Sequence, residues 1–440
     1  MTASMVRPGM HVNGDTDDGA SLGARRTRLM GPGVPTFHDP PLHLVEGQGV
    51  WLRDASGRRY LDCYNNVPHV GHGHPHVVAA IAGQLARLNI HNRYLHEGVL
   101  DYIERLTATM GHDLTQALLA CTGSEANDVA LRMARAVTGH TGLIATDNTY
   151  HGNTSATSQL GTRRPPIGGF PDHVRLVPAP ESPAPAGTAP KELAEAFGRQ
   201  VARAIDALEA AGHGFAGMIL CPVFANEGVP RVAPGFFAPA QAAIRAAGGL
   251  VICDEVQSGF GRCGTMWGHE RLGIVPDVVT LGKPMGNGYP VAGVVTRPDV
   301  MAAFRGAFGY FNTFGGTPVA AAAGMAVLDV IEREGLVAHA ARAGAHARER
   351  LAALRSPLIA EHRGAGLMLA LVLERNGVPA TDIAQRAVEA MRRRGVLIGR
   401  IGREMNILKI RPPLPITLAE IDFACDMLQE VLGELGDRGA

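Results

Sequence analysis

None of the six cysteines (Cys63, Cys121, Cys221, Cys253, Cys263, Cys425) forms a CxxC pair or a zinc-ligand spacing with another, and several lie inside apolar runs. A disulfide framework or zinc knuckle is therefore excluded as the organising device, and the pattern fits reduced, mostly buried thiols in a cytoplasmic protein. An excess of either charge is also missing. Lys plus Arg equals Asp plus Glu at 41 each, so neither nucleic acid nor an acidic membrane surface is an expected partner. The first thirty residues lack the continuous apolar stretch of a signal peptide, and no apolar run approaches the length that spans a bilayer. There is no internal repeat and no GxSxG elbow of a serine hydrolase.

What is present is an ordinary globular composition, 46% hydrophobic and 19% charged, over 440 residues. That length exceeds one typical core and implies two domains. Residues 1–30 are polar and glycine-rich, which suits a mobile arm. "GVWLRDASGRRYLDC" (49–63) alternates apolar and polar residues on either side of a turn and reads as a hairpin. From 70 to 320, helical patterns such as "PHVVAAIAGQLARL" and "SEANDVALRMARAV" alternate with short apolar runs: "GLIATD", "VRLVPA", "GMILCPV", "GLVICDE" and "DVVTLGK". Such alternation predicts an α/β core with a largely parallel sheet and ligands at the carboxyl ends of its strands. The Pro/Ala-rich stretch 179–190 reads as a surface loop. Residues 31–69 and 321–440, the latter with "GLMLALVLE" and "NILKIRPPL", suggest the two parts of a smaller α+β domain beside a large domain over 70–320.

Lys283 ends the apolar strand "DVVTL", where burying an unpaired ammonium is costly. Either its side chain snorkels to water or its amine is kept less basic than usual, as a Schiff-base lysine must be. Asp254 and Glu255 end another apolar strand, 29 residues before that lysine. As an isolated pair they could be a helix cap. Together with Lys283 they fit a ring cofactor that needs a lysine for its carbonyl and a carboxylate for its ring nitrogen. "TGSEAND" supplies Gly123 and Ser124 at a strand-to-helix junction, suited to a phosphate or to a plain cap. In "TYHG", Tyr150 could stack on a planar ring or pack in the core.

Two competing motifs fit less well. "GFGRCG" (259–264) matches a dinucleotide fingerprint, but "EVQS" separates it from its strand, no convincing long helix follows, and the acidic residue expected about twenty positions on at the end of a second strand is missing. His69, His72, His74 and His76 in "HVGHGHPH" invite a metal, yet the intervening glycines suit a turn better.

Taken in order, "YLDCYNNVPHVGHGHP", "GSEAND", "YHG", "DEVQSGFGR", "LGKPMGNGYPVAGVV", "TFGGTPVAAAAG" and "KIRPPL" resemble the class III aminotransferases, over roughly 45 to 415. The resemblance implies the fold type I architecture of enzymes dependent on pyridoxal 5'-phosphate (PLP), a mainly parallel seven-stranded sheet with a smaller α+β domain. It implies that Lys283 forms the Schiff base and serves as base, and that Asp254 holds the ring nitrogen protonated. Gln257 would bond the ring hydroxyl, Gly123 and Ser124 the phosphate, and Tyr150 and His151 would flank the cofactor. Thr313 would complete the phosphate site of a neighbouring subunit, making a homodimer the expected unit. Asn66, Arg93, Asn226, Lys409 and Arg411 are the implied substrate residues.

The chain departs from the family at the substrate end. Cys221 and Asn226 replace the two acidic residues of the usual "EPxxGExG", with Glu227 adjacent, and Lys409 replaces the arginine that usually clamps a carboxylate. Threonine stands at 317 where asparagine is common. "NNVPHVGH" and "NRYLHE" look most like the branch holding alanine–glyoxylate aminotransferases and their phospholyase relatives. The expected reaction is ping-pong transfer of an amino group to a 2-oxo acid. The alternatives are a PLP-dependent elimination of phosphate or ammonia from a phosphorylated or phosphonate amino substrate, and a nucleotide-dependent oxidoreductase using GFGRCG.

Overall fold

The five apolar runs read as strands, joined by Gln116–Ala120 and Ala292–Thr296, form a seven-stranded sheet in the computed structural model, which describes residues 11–12, 21–163, 166, 168–180 and 188–437. They are β1 (Gln116–Ala120), β2 (Leu143–Thr146), β3 (Val174–Val177), β4 (Gly217–Leu220), β5 (Leu250–Asp254), β6 (Val278–Leu281) and β7 (Ala292–Thr296). Their spatial order is β1-β7-β6-β5-β4-β2-β3. The pairings are parallel except at β7, which runs antiparallel to both of its neighbours.

Alternate side chains of these strands enter two different cores. Leu250 and Ile252 pack with Ala126, Val129 and Ala130 of helix α1 (Gly123–Thr138), whereas Val251 and Cys253 face Phe237 and Ile244 on the other side. With both faces covered, the strands have no solvent side to encode, which is why they read as continuous apolar runs. Burial of each such side chain contributes about 1.5–3 kcal/mol relative to exposure. α1 ends at Gly139, whose φ of 70° is the left-handed conformation that glycine adopts without a Cβ penalty.

The N-terminal hairpin also forms, pairing Trp51–Asp54 with Arg59–Asp62. Asp54 fixes its turn, accepting from the amides of Ser56 and Arg58 at 2.9 and 3.0 Å. Arg59–Asp62 further pairs in parallel with Val396–Leu397, so strands from both ends of the chain share one sheet. A separate sheet carries Ile359–Ala365, Met368–Arg375, Ile407–Ile410 and Gly399–Ile401.

The stretch expected to be an arm is helical over Leu22–Met30, capped by the Ser21 hydroxyl. That helix buries no side chain, so its sequence carries no apolar periodicity to reveal it. The rest of residues 1–30, apart from 11–12 and 21, and most of the expected loop at 179–190 lie outside the described residues.

Candidate active site

Because β1, β2, β4, β5 and β6 point the same way, the residues that follow them converge at one edge of the sheet. Gly123 and Ser124 open α1 after β1, and Tyr150 to Gly152 follow β2. Cys221 and Asn226 follow β4, Gln257 follows β5 and Lys283 follows β6, while Asp254 is the last residue of β5. A cavity of about 100 Å³ lies among them, adjoining a larger one of about 310 Å³. Tyr150, Asn226, Gln257 and Lys283 line both.

The smaller cavity contains the acidic centre. Asp254 is buried, and its Oδ2 accepts from His151 Nδ1 at 2.7 Å and Asn127 Nδ2 at 2.9 Å. Its Oδ1 accepts from the Val256 amide at 3.1 Å. The Thr149 hydroxyl lies 3.2 Å from His151 Nε2, so both ring nitrogens have a partner. The first turn of α1, which also lines this cavity, presents amides that have no intrahelical partner. Thr122 caps the helix by accepting from Glu125 N, leaving Gly123 and Ser124 facing the cavity. A Cβ on Gly152 would stand 2.7 Å from Ser124 Cα and Oγ, so glycine there keeps the TYHG turn tight against the cup. A helix start with free amides, a carboxylate and a lysine lining one cavity are the donor set that PLP requires, so the residues fit that group.

Lys283 sits where the two cavities meet. Burial lowers its pKa from the ordinary lysine value, with Arg411 adding to the effect and Asp254 opposing it. Its loop is held by Asn287, which donates to Gly71 O at 2.8 Å and accepts from Val70 N at 2.9 Å.

The larger cavity is cationic. Arg163, Arg400, Lys409 and Arg411 line it together with Lys283, and none of its lining residues is acidic. Lys409 donates to Ala225 O at 3.3 Å and to Gln257 Oε1 at 3.1 Å. Arg411 donates to the same Gln257 oxygen and to Tyr64 O. Among the described residues no carboxylate forms a salt bridge with either of them. Burial, then the nearby Arg411 and Lys283, holds the Lys409 pKa well below its usual range. With its oxygen occupied by Lys409 and Arg411, Gln257 keeps its amide N–H groups for a ligand. Glu227 does not substitute for the missing family carboxylates. It turns away, accepting from Thr146 Oγ1 at 2.7 Å and from the Asn226 amide at 3.0 Å.

Three expected site residues line neither cavity of this chain. Asn66 is buried, with its Nδ2 unpartnered. Arg93 lies over the Phe311 ring, 3.9 Å from its centroid. Thr313 is exposed on the neighbouring loop. Asn127, read in the sequence only as part of a cap or phosphate cup, is at the site, as are Arg163 and Arg400, which no motif singled out.

The competing motifs have structural roles. The histidines disperse: His72 bonds Asp62, His74 bonds Glu334, His76 bonds Asp329 and His69 bonds Phe260 O. No group of residues suited to a metal occurs among the described residues. In GFGRCG, Arg262 is buried and donates to Leu367 O at 3.3 Å and to Pro412 O, fastening the loop to the C-terminal segment. The next helix is only Gly268–Leu272.

The family model described as "Aminotransferase class-III" matches residues 35–432. A mitochondrial alanine–glyoxylate aminotransferase 2 homologue of Arabidopsis thaliana is 36% identical, covering 94% of this chain and 87% of its own. An ethanolamine-phosphate phospho-lyase homologue of Caenorhabditis elegans is 36% identical over 93% of this chain and 92% of its own. Among solved structures, a phospholyase from Arthrobacter in complex with phosphoethanolamine superposes with a TM-score of 0.91 at 42% identity, over 94% of this chain and 99% of that one.

Proposed function

The chain belongs to the class III aminotransferases, and on that premise we propose that it uses PLP, with Lys283 as attachment point, to move an amino group from an amino acid or amine to a 2-oxo acid. The observation that carries the proposal is the convergence of Lys283, the Asp254–His151 pair and the opening turn of α1 on one cavity. Bound there, PLP supplies a ring that accepts the electron pair released at the substrate's amine-bearing carbon.

The chain's own residues do the rest. Gly123 and Ser124 would hold the phosphate, Tyr150 and His151 would flank the ring, Asp254 would keep its nitrogen protonated and Gln257 would donate to its hydroxyl. Lys283 Nζ, neutral at lower pH than an ordinary lysine, takes the proton from the substrate carbon. Lys409, Arg411 and Asn226 would receive the substrate's anionic group, whose charge would favour the protonated Lys409 amine and neutralise Arg411.

Elimination is a second reading, carried by the cationic larger cavity. A doubly charged head group such as a phosphate monoester suits several cations better than a single carboxylate does. The likeness to the Arthrobacter phospholyase supports the same reading. One experiment separates the two. The holoenzyme, given amino donor alone, is expected to form one equivalent of oxo product per site and to continue only when a 2-oxo acid is added. Continued ammonia release without an oxo acid would replace transfer by elimination.

The partner proposed is a second copy of the chain. Tyr94, Leu95 and Phe314 are 61%, 98% and 71% exposed, an apolar patch that water disfavours. His91 stacks on Tyr94 and meets Phe311, while Asn92 bonds Gly315 O, so residues 91–95 and 311–315 form one surface carrying Thr313. The purified holoprotein is expected to sediment as a dimer, and a fully active monomer would contradict this. Among the described residues no helix is long and apolar enough to cross a membrane. The six free thiols support a reducing compartment such as the cytoplasm.

A further inference from the structure

We propose that Asn127 is a positioning residue that holds the Asp254 carboxylate in place for its work at the cofactor, and that Thr280 anchors the Asn127 amide by donating to its oxygen. The inference rests on the functional reading above but concerns residues to which that reading assigns no role.

Asn127 lies in the first turns of α1 and is 1% exposed. Both of its amide hydrogens are used: Nδ2 donates to Asp254 Oδ2 at 2.9 Å and to His151 O at 2.7 Å. Its Oδ1 accepts from Thr280 Oγ1 at 2.5 Å. A flipped amide would set its oxygen against a carboxylate oxygen and a carbonyl oxygen, two acceptors facing an acceptor, so this network admits one orientation. Thr280 lies on β6, three residues before Lys283, and its carbonyl accepts from Glu255 N at 2.9 Å. One chain of hydrogen bonds thus ties the lysine strand, the aspartate strand and the phosphate helix together at the carboxylate.

A helix cap would not need this arrangement. Thr122 already caps α1, and Asn127 points inward at the acid. With two donors on Oδ2 and one on Oδ1, the Asp254 carboxyl is held in a fixed orientation, which electrostatic preorganisation requires.

The test measures PLP affinity by titrating the apoprotein, alongside kcat of the holoenzyme. Asn127→Leu is expected to weaken PLP binding at least tenfold and to lower kcat by a similar factor. Thr280→Val should move both in the same direction by a smaller factor, and Thr280→Ser should restore them. Because Asn127 acts through Asp254, adding Asn127→Leu to Asp254→Asn should change neither value further. Unchanged affinity and turnover in Asn127→Leu would overturn the inference, as would losses that multiply in the double variant. If Asn127→Leu does not fold by circular dichroism, the Thr280→Val and Thr280→Ser pair carries the test alone. Wild-type protein that carries PLP on Lys283 while these variants stay unaffected removes only this inference. PLP bound elsewhere removes the functional reading itself.

Discussion

Lys283→Ala is expected to lower turnover by at least about 10⁴-fold and to leave no cofactor covalently attached, while the fold persists. The size of the effect follows from two roles lost together, the attachment point and the proton carrier. Lys409 is the other lysine at the cavity, and its amine is already engaged by Ala225 O and Gln257. The chain has three lysines in all, and Lys191 is exposed on the helix Pro190–Ala210. Rescue by a neighbouring amine is therefore not expected.

The wild-type pH dependence has a definite sign. Burial favours the neutral amine, so covalent loading of the apoprotein should rise with pH and level off below the ordinary lysine value of 10.5. Burial sets this direction, Arg411 reinforces it and Asp254 moderates it. Substantial turnover in Lys283→Ala, or a loading profile centred on 10.5, would count against this description of the amine.

Asp254→Asn is the second large effect, an expected loss of about 10²- to 10³-fold in kcat with PLP still bound. Asparagine matches the shape but carries no charge to keep the ring nitrogen protonated. It also misfits its neighbours. Val256 N donates to one oxygen, and His151 and Asn127 donate to the other. Whichever atom becomes the NH2 group must face a donor, so at least one buried hydrogen bond is lost. Circular dichroism and retained PLP absorbance distinguish a chemical defect from unfolding. Full kcat in this variant would remove Asp254 from the mechanism.

Much of this site was legible because its chemistry sits at strand ends. A buried strand has to announce itself as an apolar run, so a charged residue at its end, such as Lys283 after "DVVTL" or Asp254 after "LVIC", stands out. What could not be read is which strands are neighbours: the order β1-β7-β6-β5-β4-β2-β3 depends on long-range packing. Asn127 was visible inside "GSEAND", but a polar residue near a helix start resembles a cap, and its partner Thr280 lies 153 positions away. Arg163 and Arg400 belong to segments with no motif of their own, and only the folded chain brings them to Lys409 and Arg411. Thr313 and Arg93 were inferred from the resemblance, and in this chain both lie on or beside the exposed apolar patch.

Borohydride reduction of the PLP-loaded protein, followed by digestion and mass spectrometry, addresses the central claim with three possible lysines to report on. The cofactor's mass is expected on the peptide containing Lys283 and on neither of the other two. The adduct on Lys409 or Lys191, or no adduct on a protein that turns over substrate, would contradict the account.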